Sequence, residues 1–540
     1  MAERRDSFGM KPDVDAVEDI IKTPHHEAHD ASGTVNLYQD GTVVLVPTPS
    51  PDPKDPLNLP VWRKYMIILL VGFYSGISVL GTSGLGSVAP ELYALYHNDN
   101  PKRISDLLTY PTLFMGIGNL LSMPLANAIG RRPVFLFSLL LLTVSGIWCA
   151  CSKSLTSHIA GRNIFSLAAG QSEALAPLIV QEIHFLHQHG IKLSYFVGVQ
   201  NTLTAALFTA TTYIVPSLGL PWWYGIMTII NGFTMIMSIF FLAETRYERP
   251  EDATVHLKLD KNGNVAREGT NEVLYQVTTR NGVVLQPEKF GERTWRDDMK
   301  LFHGQADWKS LVSFYKDVGL SLILPPIFWI FILNGAFLGL YIYQASTFAV
   351  ILVQPPYNFD GKLLGYVQLV QIIDCLLAVP LLGYGSDIIC RFMSRRNKGP
   401  EYRLLVLVIP AACAIISAIV YGHAAASPND YHWIAIVAPY HLGFFSFLGA
   451  NLVGITFVMD SYPNKSGPLL LVVCAGRGFV SFGLSYATVP SIQSLGYDGA
   501  MNILAIICGI LSGMGIIMYF IGKRVREWAR RRIWPKHHEE

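Results

Sequence analysis

Charged side chains are scarce in this chain: Lys, Arg, Asp and Glu together make up 15% of its 540 residues, where a soluble domain carries about a quarter. With 51% hydrophobic residues and a mean hydropathy of +0.35, there is too little charge to coat several soluble domains. A basic stripe is lacking too. The formal net charge is +2 and Lys and Arg gather at the ends of apolar runs, which argues against nucleic acid as a partner. The seven cysteines (Cys149, Cys151, Cys375, Cys390, Cys413, Cys474 and Cys508) show no CxxC or Cys/His spacing, so neither a disulfide framework nor a metal site is expected. No cofactor motif and no nucleophile-base pair stands out, so no cofactor and no enzymatic activity are expected. The opening MAERRDSFGMKPDVDAVEDI has no apolar stretch before a cleavage site, so the first apolar helix is expected to act as the insertion signal.

What the chain does have is long apolar runs. Windows of about 19 residues predict twelve membrane-spanning helices, spans 1 to 12, near 64–90, 105–127, 133–152, 157–181, 192–217, 222–243, 318–350, 362–384, 402–423, 431–459, 466–489 and 499–522. The fold class is therefore an all-α membrane protein with two six-helix bundles. Its divisions are an amino-terminal tail (1–62), a first bundle (63–243), a polar central loop (244–317), a second bundle (318–522) and a basic tail (523–540). One set of connections holds Arg63, Lys64, Arg131, Arg132, Lys192, Arg391, Arg395, Arg396, Lys398, Lys465 and the KRVREWARRR tail; the other holds only Lys102, Arg103, Lys153 and Lys362. Positive residues stay inside, so both termini and the central loop are expected in the cytoplasm. The sequon at Asn464 then falls on the cytoplasmic side and should stay unmodified.

In the polar flanks, strand-like runs bracket Asp40-Gly41 and Asn281-Gly282, the signal of two-residue hairpins. The run DKNGN (260–264) begins like a calcium loop, but its twelfth position is Asn271 rather than Glu. A plain turn is the better reading.

A charge at bilayer depth costs roughly 2.5–3.5 kcal/mol on insertion scales, so intramembrane charges normally face a bundle interior or water. Four stand near span centres: Arg162 and Glu173 in span 4, Asp374 in span 8 and Arg477 in span 11. At about 100° per residue, a separation of eleven brings Arg162 and Glu173 within about 20° of one face, so both can line one side of a central cavity. Gln171 flanks Glu173, and Gln368 and Gln371 precede Asp374 at three-residue steps. Span 7 adds Asn334, Tyr341 and Gln344, and span 10 adds Tyr440, His441 and Asn451. Singly, such residues are more often helix-packing hydrogen bonds than ligands. Together they make a candidate site for substrate binding and proton coupling, with Glu173 preferred over Asp374 as the coupling carboxylate. Packing partners in neighbouring helices are the alternative for all four charges.

The loop after span 2 reads PLANAIGRRP, and its counterpart after span 8 reads GYGSDIICRFMSRR. Both resemble the loop motif of the major facilitator superfamily, placing Asn127 and Asp387 at matching positions with Arg131, Arg132 and Arg391 as basic partners. GRNIFSLAAGQSEAL in span 4 is similar to the family's embedded Arg with a glycine-rich stretch. DPLN, EIHFLHQHG, ETRYERP, RRNKGPEYRL, MDSYP and GKRVREW resemble the fungal drug:proton antiporter-like branch, which includes polyamine and cation transporters as well as efflux pumps. Three positions depart from the pattern: Asn127 replaces the motif's acid, span 5 lacks the Gly-Pro motif of antiporters, and span 1 carries no acid.

The resemblance implies a secondary transporter of a small organic solute, rocking two bundles about a midplane site, with protons as coupling ion, in the plasma membrane. The loop residues Asn127, Arg131, Arg132, Asp387 and Arg391 would serve conformational switching. The intramembrane carboxylates suit a cationic solute and the arginines a carboxylate, which leaves substrate charge open. A facilitator-fold nutrient sensor with little transport is the alternative.

Overall fold

The computed structural model describes residues 50–247, 287–385, 388 and 400–533, apart from 51, 186–187, 304–305 and 463–464. In the polar flanks it describes the backbone of residues 38–39, 42–43, 257–259, 264–267, 273–278 and 282–283. Asp387, Arg391, Arg395, Arg396, Lys398 and Asn464 lie outside the described residues.

Among the described residues ten helices are long and apolar enough to cross a bilayer: Val61–Gly86, Asp106–Ile129, Arg131–Cys151, Leu220–Phe241, Pro325–Val353, Gly361–Tyr384, Pro400–Ala426, Ile434–Ser461, Ser466–Thr488 and Pro490–Ala529. These are spans 1–3 and 6–12. The other two differ for reasons visible in their residues. Span 5, His189–Leu218, is unbroken but carries Gln200, Asn201, Thr204, Thr209, Thr211 and Thr212. Span 4 is interrupted, running as Leu155–Ala169, a tight turn at Gly170–Ser172, and Leu175–Glu182. Large apolar side chains such as Ile229, Phe233, Ile516 and Phe520 stand outward, 63–72% exposed, which suits a surface bathed in lipid tails.

The expected start of span 7 at residue 318 is corrected. A separate helix covers Trp308–Leu322, and the span begins at Pro325 after an extended Leu324. Pro325 and Pro326 supply no amide hydrogen and their rings clash with the preceding turn, so a helix cannot continue through them; in a first turn they fit. Spans 11 and 12 run as one helical stretch, Ser466–Arg532, turned at Gly496, whose φ of +71° is the left-handed region.

Spans 1–6 and 7–12 each pack among themselves, as in span 3 against 6 and span 7 against 11. The halves meet along span 5 against span 8 and span 2 against span 11. Helices dominate the bilayer portion because lipid offers backbone groups no partner; the strands sit in the polar flanks. Tyr38–Gln39 pairs with Thr42–Val43; the expected turn between them, Asp40-Gly41, lies outside the described residues. Val277–Thr278 pairs with Gly282–Val283, so Gly282, expected in the turn, stands in a strand, while Asn281 lies outside the described residues. A further pairing joins Leu257–Leu259 to Asn264–Arg267, around the run first compared with a calcium loop.

Candidate functional site

Between the halves lies a cavity of about 170 Å³ bordered by spans 1, 2, 4, 5, 7, 8, 10 and 11. Its charged wall is built at the break in span 4. There the helix gives up its regular ladder over Gly170–Glu173, and in a membrane the freed carbonyls need other donors. Tyr74 Oη donates to Ala168 O at 2.5 Å, Ser75 Oγ to Ser172 O at 3.3 Å and Cys474 Sγ to Glu173 O at 3.0 Å. The last bond crosses from the second half to the first.

The break turns Glu173 into the cavity, where its carboxylate pairs with the Arg477 guanidinium of span 11. Arg477 also donates to Asn451 Oδ1 of span 10, and its guanidinium carbon lies 5.9 Å from the centre of the Phe447 ring. The side chains are 14% and 5% exposed respectively. Each half of the molecule thus contributes one charge to a nearly buried ion pair.

The same break undoes the expected alignment of Arg162 with Glu173, which assumed one continuous helix. Arg162 points into the first half, where Nε donates to Leu107 O (3.0 Å), Nη2 to Thr82 O (2.7 Å) and Nη1 to Tyr224 Oη (3.1 Å). It binds spans 1, 2 and 6 together and does not border the cavity. His158 extends that cluster, its Nε2 2.8 Å from Tyr224 Oη and its Nδ1 3.0 Å from Tyr96 Oη.

Of the other expected residues, Tyr341, Gln371 and Asn451 border the cavity. Gln371 Nε2 lies 2.5 Å from Tyr440 Oη, 2.9 Å from Gln368 Oε1 and 3.2 Å from Tyr341 Oη, three acceptors that share its two hydrogens. Asp374 and His441 are set apart from the cavity lining and bonded to each other, Nδ1 to Oδ2 at 2.7 Å. Gln344 is buried with Ser417 of span 9 as partner, at 2.8 Å. Asn334 is buried against Gly454 of span 10, and Gln171 is buried in the span 4 turn.

Sequence reasoning missed Asn119, Gln200, Asn201 and the aromatic wall of Phe196, Phe444 and Phe447, all bordering the cavity. The polar residues of span 5 were the available signal.

The face carrying the central loop is held by a second set of contacts. Gly130, at φ +114°, opens span 3; a Cβ there would fall on the Glu244 carboxylate. That carboxylate accepts from the amides of Arg131 (2.9 Å) and Arg132 (3.2 Å), satisfying two free donors of a helix start. The Arg131 guanidinium pairs with Glu182 at the end of span 4, at 2.8 Å. Arg132 is buried and donates to the carbonyls of Ile239, Leu242, Met299 and Lys300. Asn127, half-buried, lies in the last turns of span 2. In the second half Arg403, opening span 9, pairs with Asp460 at the end of span 10, at 2.5 Å. Asp460 also meets His189 of the first half at 3.3 Å, and Tyr195 Oη meets Tyr384 Oη at 2.6 Å.

A helix bundle of this form is shared with solved structures. The proton:xylose symporter XylE superposes with a TM-score of 0.58 at 12% identity, covering 86% of this chain and 96% of its own. The human organic anion transporter MFSD10 gives 0.54 at 14% identity, covering 85% and 100%. Among curated proteins, an uncharacterized MFS-type transporter of Schizosaccharomyces pombe is 23% identical over 97% of this chain and 95% of its own. Protein HOL1 of Saccharomyces cerevisiae is 22% identical over 91% of each. Residues 71–468 match the model of the Major Facilitator Superfamily, and with the two-bundle architecture around a central cavity this chain belongs to that superfamily.

Proposed function

We propose that this chain carries a small organic solute across the plasma membrane by alternating access, coupled to protons, with both termini in the cytoplasm. The observation that carries this reading is the Glu173–Arg477 pair, which borders the cavity and draws one partner from each half. When the bundles rock apart, both groups lose their partner, and a solute with an ammonium, a carboxylate or both can replace what each loses. The walls formed by Tyr341, Phe444 and Phe447 suit an apolar body. Membership of a transporter family and fungal relatives described as MFS-type transporters support transport in general; the intramembrane carboxylates support proton coupling. The Lys and Arg asymmetry supports the orientation.

The test begins with an untargeted metabolite comparison of deletion and overexpressing cells. Compounds changing in opposite directions are then offered to the purified full-length chain in proteoliposomes. Counterflow of one such compound, reduced by Arg477→Gln, is the expected result. Binding without counterflow would overturn the transport reading in favour of the nutrient sensor.

A further inference from the structure

Glu173 and Asp374, the carboxylates near span centres among the described residues, have partners that differ in kind. Glu173 faces an arginine, so the pair is neutral and an added proton would leave a net positive charge in a low-dielectric site. Among the described residues Asp374 has a histidine, His441, as its ion-pair partner and no Lys or Arg. With the imidazole neutral that pair carries −1, and one added proton brings it to zero. Burial opposes net charge, and the second pair is the one that a single added proton would neutralise.

We infer that the Asp374–His441 pair is the proton-binding site of this carrier, while Glu173 serves as the substrate-side partner of Arg477. The inference rests on the transport reading above and reverses the preference drawn from sequence. The geometry also identifies the atom. His441 Nδ1 lies 2.7 Å from Asp374 Oδ2, so in the neutral ring Nδ1 carries the hydrogen and donates it. Nε2 is then the free lone pair, and it is buried without a hydrogen-bond partner among the described residues. The arriving proton binds Nε2, and the imidazolium remains tied to the carboxylate through Nδ1.

Among the described residues no Lys or Arg forms an ion pair with either member. Span 7 brings Tyr341 towards the pair, span 8 Cys375 and span 10 Tyr440. Span 5, packed on span 8, carries its titratable groups (His189, Lys192, Tyr195 and Tyr213) towards its ends; span 9 carries Glu401, Tyr402, Arg403 and His423 towards its ends, half-buried Cys413 mid-span, and Tyr421 on the side of Tyr440. The charged group of span 11 at this depth, Arg477, is engaged by Glu173 and Asn451.

A path from the cavity to this pair is present in the same side chains. Gln371 borders the cavity one turn before Asp374, and it bonds Tyr440, the residue preceding His441. Movement of Gln371 or Tyr341 on solute binding is therefore delivered to both helices that hold the pair.

The experiment is an infrared difference titration of the full-length chain in lipid nanodiscs between pH 5 and 8, the range in which histidine ordinarily changes charge. No solute is needed. A reversible imidazolium band is expected in the parent and in Glu173→Gln, and its loss is expected in His441→Gln. In Asp374→Asn the band should be lost or displaced. Circular dichroism and thermal unfolding identify any variant that fails to fold, and Asp374→Glu, which keeps the carboxylate, should retain the band. A band unchanged in both His441→Gln and Asp374→Asn would overturn the assignment. Because the titration needs no solute, its failure leaves the transport reading standing, and absent counterflow leaves the proton site standing.

Discussion

The Glu173–Arg477 pair gives a quantitative prediction. Removing one member of a buried ion pair costs about 3–5 kcal/mol, because the remaining charge loses its compensation; replacing both by neutral groups returns most of that loss. The side chains are 14% and 5% exposed, so solvent screening discounts this little. The two single changes should not cost the same. Glu173→Gln leaves Arg477 with Asn451 Oδ1 and the face of Phe447, and a loss near the lower figure, about 3 kcal/mol, is expected. Arg477→Gln leaves the Glu173 carboxylate with no other side-chain partner among the described residues, and a loss near about 5 kcal/mol is expected. The double variant should lie within about 2 kcal/mol of the parent, giving a coupling energy of several kcal/mol in the double-mutant cycle. Reversible unfolding in denaturing detergent, followed by tryptophan fluorescence, measures all four proteins. Losses that simply add in the double variant would refute the pairing, as would single losses below about 1 kcal/mol, the level of an exposed ion pair.

Two further outcomes follow from other parts of the molecule. Gly118 of span 2 lies so close to span 4 that a Cβ would fall on the backbone carbonyl of Leu167, so Gly118→Ala should cost about 1–3 kcal/mol in the same unfolding assay, and an unchanged midpoint would count against the close approach. Asp298 ties the segment after the central loop to span 1 through Arg63 (2.5 Å) and to Arg293 (2.9 Å); burial pushes its carboxyl up, but the two guanidinium groups outweigh burial and hold it below the ordinary value. A lowered carboxylate contributes stability that is complete above the unfolded pKa of about 3.9 and is lost only as pH falls through the folded value. Asp298→Asn should therefore speed tryptic cleavage after Arg293 and Arg296 about tenfold, equivalent to about 1.4 kcal/mol, whereas lowering the pH from 8 to 5 should not speed cleavage of the parent in a pH-corrected assay.

The spans were legible because lipid enforces a simple rule: about 20 apolar residues per crossing leave a hydropathy signal that packing does not erase. The start of span 7 was misread because Val318, Leu320, Leu322 and Ile323 are as apolar as the span beyond; the Pro325-Pro326 pair was the better guide. The charged residues were legible as a set but not in their pairing. Arg162 and Glu173 share a face only if the helix between them is regular, and Gly170 with its polar neighbours breaks that regularity. Once broken, the two side chains diverge, one to the carbonyls of spans 1 and 2, the other across the cavity to span 11. Which residue on a distant helix would answer, Arg477 for Glu173 or His441 for Asp374, depends on how twelve helices pack, and local periodicity carries no record of that.

The charged contacts divide by whether they stay within one half or cross between halves, and the division bears on how the molecule could move. Arg131–Glu182 and Arg403–Asp460 join the start of spans 3 and 9 to the ends of spans 4 and 10. These occupy equivalent places in the two halves, and each stiffens the bundle it lies in. The contacts between halves on the central-loop face are of a different kind. When Tyr195 leaves Tyr384, both hydroxyls can turn to water. When His189 leaves Asp460, the carboxylate keeps Arg403 at 2.5 Å, so no charge is stranded. Opening that face is therefore cheap. At the cavity it is not, because Glu173 and Arg477 have no second charged partner among the described residues, and separating them exposes two uncompensated charges. A solute of matching chemistry offsets that penalty. The halves would then part readily when the site is filled and reluctantly when it is empty, which is the condition for a carrier rather than a leak.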